Sequence, residues 1–258
     1  MLTKRALAVF LFCIAFGGCK TLNRVFRTGG TEFTVKVSTS EPNRDEIVAK
    51  AAKLIEAKAN AIGLDIEVTR NPNVPDTLSV KYYGDQPLQP IRDTLLVIYR
   101  LELKKVANSV NTVTPYQDEN AAKANLKDGQ EVLPIKPDDP SDKKQFLIVE
   151  KQAVINGNDI RSARVVERWK GNYAIEFTLK PDAAARFGDW TGRNIKNYLA
   201  VVLNDEIQSY PIINGQIFDI GQIEGRFTKS SAEDIAISLN AGYLPATMTI
   251  VDEQPFGK

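Results

Sequence analysis

Cys13 and Cys19, the acidic residues Asp118, Glu119, Asp138, Asp139 and Asp142, the pair Gly29-Gly30, and Trp169 and Trp190 are the positions whose chemistry stands out in this 258-residue chain. Each type supports a different task. A thiol that follows small residues can be joined through a thioether to a lipid. Clustered carboxylates can hold a divalent cation, or share acid and base work on a glycosidic bond. A glycine pair can bring backbone amides against a phosphate. Indoles can stack on a ligand.

Spacing narrows these options. A calcium loop needs regularly spaced oxygen ligands around a sharp-turn glycine, and the acidic residues have neither. Nothing positions them as a glycosidase pair, so residues 108–144 read as a solvated linker or flap. Gly29-Gly30 lacks the downstream lysine and longer glycine pattern of a phosphate loop, which leaves a close backbone approach. Trp169 and Trp190 read as core or hairpin fillers. The chain has no histidine, the commonest general base and metal ligand. Its two cysteines lack zinc spacing. No catalytic, cofactor-binding or metal-binding residue is assigned, and the chain is expected not to be an enzyme.

Cys19 has a better context. Lys4 and Arg5 open a basic start, residues 6–16 are continuously apolar, and Gly17-Gly18 precede the thiol. The apolar run is shorter than the about 20 residues of a membrane span and has the layout of a secretory signal. Small residues before a cysteine resemble a bacterial lipobox, although Phe16 stands where leucine is usual. Residues 1–18 are expected to be a signal peptide and Cys19 the lipid attachment site, with residues 19–30 as a tether. Cys13 would leave with the signal, so the mature chain would have no disulfide in an oxidising compartment.

Composition bounds the rest. The chain is 43% hydrophobic, enough for a real core, and carries 33 basic against 32 acidic side chains. Loss of residues 1–18 removes Lys4 and Arg5, leaving 31 against 32. A chain so close to neutral is a poor nucleic-acid binder, because phosphate neutralisation needs a basic surface.

Two folded segments must position whatever function there is. In residues 31–107, Phe33, Val35 and Val37 alternate as a strand. Asn43 and Glu46 form a candidate capping box. Ile47, Ala51, Leu54, Ile55, Lys58 and Ile62 fall on one helical face closed by Gly63. Leu64, Ile66 and Val68 read as a strand, as do Leu78, Val80 and Tyr82. Pro90 opens a second helix, and Tyr99, Leu101 and Leu103 alternate again. The order βαββαβ predicts a ferredoxin-like base. Residues 145–246 predict a second α+β subdomain. It holds a strand at 146–149, a turn into a short helix at 155–160, a strand through Tyr173, Ile175 and Phe177, and a helix from Pro181. An apolar hairpin turns at Asn204-Asp205 and ends by Pro211. A last helix is expected to be capped by Ser230 with Glu233, before a short strand and tail at 247–258. The fold class is α+β.

The strings "INGNDIRSARV" from Ile155, "YAIEFTLKPDAAARF", "LAVVLNDEIQSYPIING" and "IEGRFTKSSAEDIAISLNAGYLPATMTIV" closely resemble the first periplasmic domain of the SecD family, a subunit of the bacterial protein-export machinery. "RTGGTEFTVKV" and "IEAKANAIGLDIEV" resemble its opening strand and helix-glycine-strand. The chain departs from the family pattern at Asn204-Asp205, where Asp-Gly is usual, and at Tyr210, where alanine is usual. A lipoprotein-like signal replaces the first membrane helix, and the chain stops where the family continues into further membrane helices. The resemblance implies a base and a head, the head engaging polypeptide that emerges from the channel, with base–head rotation accompanying export. In the family the membrane helices couple to the proton gradient.

The expected function is therefore that of an extracytoplasmic lipoprotein on the periplasmic side, accessory to protein export or envelope biogenesis. It would bind unfolded secretory polypeptide or Sec translocon components without itself using the gradient. The alternative is a lipoprotein scaffold docking on another envelope protein. No substrate-binding residue is assigned.

Overall fold

The structure, a computed structural model, describes residues 29–257 apart from 72, 73, 85–87, 138, 140 and 170. The expected signal peptide and Cys19 lie outside the described residues. The elements begin with β1 (Gly29–Ser38), α1 (Arg44–Ala61), β2 (Ile66–Arg70), β3 (Thr77–Tyr82) and α2 (Leu88–Leu95). Next come β4 (Leu101–Lys105), α3 (Glu119–Lys123), β5 (Gln130–Ile135), β6 (Gln145–Glu150) and β7 (Ile155–Asn156). A 3-10 turn (Gly157–Asp159) leads to β8 (Ile160–Trp169), β9 (Asn172–Leu179) and α4 (Pro181–Arg193). The chain closes with β10 (Leu199–Leu203), β11 (Glu206–Ser209), β12 (Ile220–Phe227), α5 (Lys229–Asn240) and β13 (Thr247–Gly257). The described residues form two units: 29–96 with 246–257, and Val97–Pro245.

The first unit is the ferredoxin-like one. Its antiparallel sheet has the order β13-β1-β3-β2. Phe33, Val35 and Val37 on β1 and Leu78, Val80 and Tyr82 on β3 are buried, as their period-2 pattern requires. Ile47, Ala51, Leu54, Ile55 and Lys58 line the buried face of α1, whereas Ile62 is exposed beyond the helix end. Gly63 follows with φ 75°, the left-handed exit that ends the helix. Lys58 is buried and donates to the Thr94 carbonyl at 3.1 Å, a cation at the C-terminal end of α2. Asn43 does not make the expected box: its side chain donates to the Glu46 carboxylate at 3.2 Å and makes no backbone cap.

The expected fourth strand of this sheet is corrected. Leu101–Lys105 does not join β1; it pairs with β10 and β7 in the second unit. The place beside β1 is filled by β13, paired from Gly29↔Gly257 to Ser38↔Thr247 with a bulge between Thr34 and Val35. Residues 97–107 therefore belong outside the base, and residues 247–257 inside it. An alternating strand pattern specifies a face, not a partner, and two strands competed for one edge.

The second unit has a six-stranded sheet, β6-β5-β11-β10-β4-β7, and a three-stranded antiparallel sheet, β12-β9-β8. All five residues of β10 are buried. Leu199, Val201 and Leu203 face a core with Leu101, Leu103, Ile175, Phe177, Phe187, Ile235 and Leu239. Ala200 and Val202 face a second core with Val106, Leu133, Leu147, Val149 and Ile207. A strand covered on both sides reads as a continuous apolar run, which is how LAVVL reads.

Two further expectations are corrected here. Residues 108–144 are not a simple linker or flap, since they supply α3 and the strand β5, which pairs with β6 and meets β11 in parallel at Ile207↔Ile135. The last helix is capped by Thr228, whose hydroxyl accepts from Ser231 N–H at 3.1 Å, and not by Ser230. The predicted helix at Pro181 has that proline in its first turn. The turn at 156–159 is a capping box between Asn156 and Asp159.

Candidate functional site

The β10–β11 hairpin anchors the site. Asn204 and Asp205 both have positive φ, 49° and 63°, the geometry of a two-residue turn whose twist matches its strands. Asn204 serves because its short side chain tolerates that region and finds local partners. The Arg100 N–H donates to Asn204 Oδ1 at 2.8 Å, and the Asn204 N–H donates to the Arg100 carbonyl at 3.1 Å. The Arg100 guanidinium pairs with Asp205 at 2.9 Å. The turn is thus tied to the entry of β4.

Beside it lies a cleft of about 510 Å³, lined by Tyr99, Lys136, Gln208, Arg226, Phe227 and Ile235 among others. The Lys136 ammonium sits over the Phe227 ring, 5.0 Å from its centroid. Burial, together with the neighbouring Asp234 carboxylate, pushes the Tyr99 phenol above its ordinary pKa. The lining mixes apolar surface with polar groups.

The outer face of the three-stranded sheet is polar. Arg164 donates to Glu176 Oε1 at 2.8 Å through Nε, Gln222 donates to Glu176 Oε2 at 3.3 Å, and Arg168 reaches Gln222 at 2.7 Å and Glu224 at 3.0 Å. The hydrogen bonds from Arg164 and Gln222 hold the Glu176 carboxyl below its usual range. This is the cross-strand pairing expected of a solvated sheet face.

The residues singled out by type fall apart spatially into separate structural roles. Gly30 is a close approach: a Cβ there would lie 2.1 Å from the Tyr82 carbonyl oxygen. Trp190 is half-buried and stacks on Phe187, centroids 6.5 Å apart. Trp169 ends β8 at its hairpin and is 64% exposed. Asp118 caps α3 by accepting from Ala121 N–H at 2.9 Å, and Asp139 accepts from Ser141. Asp138 lies outside the described residues. Among the described residues, no group of three or more His, Cys, Asp and Glu could hold a metal ion. Tyr210 packs against Tyr198, centroids 6.4 Å apart.

Lys104 gives no functional signal in the sequence. It is buried on β4, with Nζ 2.6 Å from Glu131 Oε1, 3.2 Å from Glu102 Oε2 and 2.9 Å from the Lys151 carbonyl. In the sequence it is one of two adjacent lysines in the mixed strand LELKK, which gives no sign that one of them is buried. Among the described residues, no helix is long and apolar enough to cross a membrane.

Residues 130–246 match the family model for the SecDF P1 head subdomain. The protein translocase subunit SecD of Aquifex aeolicus is 30% identical over 237 residues, covering 91% of this chain and 45% of that protein. SecD of Koribacter versatilis is 27% identical over 232 residues, covering 89% and 42%. The chain spans less than half the length of these relatives. Among solved structures, SecDF described as a membrane component that enhances protein export aligns with TM-score 0.61 at 22% identity, over 86% of this chain and 98% of that one. SecDF in a super-membrane-facing form aligns with TM-score 0.65 at 21% identity, over 93% and 36%. At these identities the two structures show the fold, which is the α+β fold of SecDF. The resemblance to SecD holds over most of the chain, and the match to the head begins at β5, inside the stretch expected to be a linker.

Proposed function

We infer that this chain is a SecD-like extracytoplasmic lipoprotein that assists protein export or envelope biogenesis by binding translocated polypeptide, without itself using the proton gradient. The observation that carries the reading is the match of residues 130–246 to the SecDF P1 head, within a similarity to SecD that runs over most of the chain. Its clients are unfolded secretory chains, and its partners are Sec translocon components. It sits on the periplasmic side, held to the membrane by lipid on Cys19, whose context Gly17-Gly18-Cys19 supports that role. It catalyses no reaction and binds no nucleic acid.

The geometry favours binding over chemistry. A doubly buried strand, β10, carries a rigid turn beside a cleft of mixed polarity. A fixed frame lowers the ordering cost that limits capture of a flexible chain. Photo-crosslinking from the cleft in cells, at Gln208 or Arg226, tests this. Many heterogeneous secretory chains in the adducts fit the reading. One stoichiometric envelope partner replaces it with the scaffold role.

A further inference from the structure

We propose that the outer edge of β8, at Val165 and Glu167, receives an extended polypeptide as an added antiparallel or parallel strand. The proposal rests on the polypeptide-binding reading and adds to the cleft a backbone contact elsewhere in the second unit.

The direction of each backbone group on β8 follows from two separate observations. Residues 162–167 pair with residues 178–173 of β9 in unbroken antiparallel register. In such a ladder, alternate residues give both their N–H and C=O to the partner, and the residues between them turn both outward. Ala163 gives its N–H to Asn240 Oδ1 and its C=O to Asn240 Nδ2, each at 2.8 Å, so Ala163 turns outward. Independently, Leu179 N–H on β9 donates to the Asp219 carbonyl at 2.7 Å, on the β12 side. Leu179, Phe177 and Ile175 therefore face β12, leaving Glu176 and Ala174 to bond Arg164 and Val166 of β8. Both routes place the N–H and C=O of Val165 and Glu167 on the outer edge, where no described residue takes them.

The edge has definite ends. Asn240 occupies it at Ala163, and the register breaks between Glu167 and Trp169. What remains is a short row of alternating donors and acceptors, the complement of an extended main chain and of nothing else as general. Flanking side chains are engaged within their own sheet, Arg164 by Glu176 and Arg168 by Gln222 and Glu224. Recognition falls to the backbone, which every polypeptide shares. The other edges of the second unit are less open: the outer side of β6 is bridged by Val106 and Tyr116, β12 loses register after Ile223, and β7 has only two residues.

Residue-resolved amide exchange on the purified chain, with and without reduced, carboxymethylated α-lactalbumin, tests this. The amides of Val165 and Glu167 exchange fast alone and slow by about tenfold or more with the unfolded chain present, while Ala163, Arg164 and Val166 are protected in both. Val165→Pro removes one outward N–H and no ladder bond; it keeps the thermal transition and weakens binding by about tenfold. If that variant fails to fold, the exchange result alone decides. Binding with unchanged exchange at Val165 and Glu167 overturns the edge and leaves the polypeptide-binding reading standing. Absence of binding overturns both. Concentration-dependent protection without any added chain assigns the edge to a second copy and also overturns the proposal.

Discussion

Asn240, the last residue of α5, holds both backbone groups of Ala163 on β8, accepting from its N–H and donating to its C=O at 2.8 Å each. One amide side chain thus stands in for a neighbouring strand at a single residue and fixes the helix against the sheet. Asn240→Ala leaves both groups to water and costs about 1–2 kcal/mol, read as a lower urea midpoint with faster exchange at Ala163. Asn240→Asp keeps the acceptor alone and falls between.

Lys104 and Glu176 shape the pH profile from opposite ends. Burial opposes the charge on Lys104, but its hydrogen bond to Glu131 and the charge of Glu102 outweigh burial and raise its pKa. A raised base stabilises fully below the unfolded value, about 10.4, and loses that contribution as pH climbs through the folded value. Glu176 is depressed by Arg164 and Gln222, so its contribution is present above about 4.3 and lost as pH falls through the folded value. Melting temperature should therefore fall at both extremes. Lys104→Met lowers stability by about 1–3 kcal/mol at neutral pH, by leaving Glu131 and the Lys151 carbonyl without their donor, and removes its share of the alkaline fall. Glu176→Gln removes its share of the acid fall.

Two glycines should respond differently. Gly63→Ala places a side chain in open space at φ 75° and costs about 1 kcal/mol. Gly30→Ala drives a Cβ to 2.1 Å from the Tyr82 carbonyl oxygen, a clash with backbone that only separation of β1 from β3 relieves. Its cost is about 2–4 kcal/mol by urea denaturation, with loss of amide protection along β1.

Much of this architecture was legible where local pattern and local partner coincide. The Asn204-Asp205 turn, the Gly63 exit, the start at Pro181 and the buried alternation of Phe33, Val35 and Val37 are all settled within a few residues. What misled was non-local. Leu101 and Leu103 alternate as well as Met248 and Ile250 do, and only tertiary pairing decides that β13 lies beside β1. In β5, Pro134 and polar flanks hid a strand whose place comes from β6 and β11. The cap of α5 is Thr228 and not Ser230, because Thr228, Ser230 and Ser231 stand within four residues and each could serve. Asn240 carried no signal at all, since an asparagine ending a helix is ordinary, and its partner stands far away in the chain at Ala163.

The proposed anchor is a lipid on Cys19. Each buried CH₂ of an attached lipid contributes about 0.8 kcal/mol, so two or more acyl chains hold firmly where one does not. Cys19→Ser should release the protein from membranes or leave the signal uncut, by fractionation and intact mass. A mature-sized variant that stays with membranes like the wild type contradicts lipid attachment.

The central claim is capture of unfolded polypeptide, and calorimetric titration of the purified chain tests it most directly, in the absence of membrane or gradient. The titrants are one secretory protein in its reduced, unfolded form and in its native form. The unfolded chain should bind saturably, less tightly to Val165→Pro, and the folded form should give no heat. No binding of the unfolded chain at about 500 μM, corresponding to less than about 4.5 kcal/mol of affinity, contradicts it.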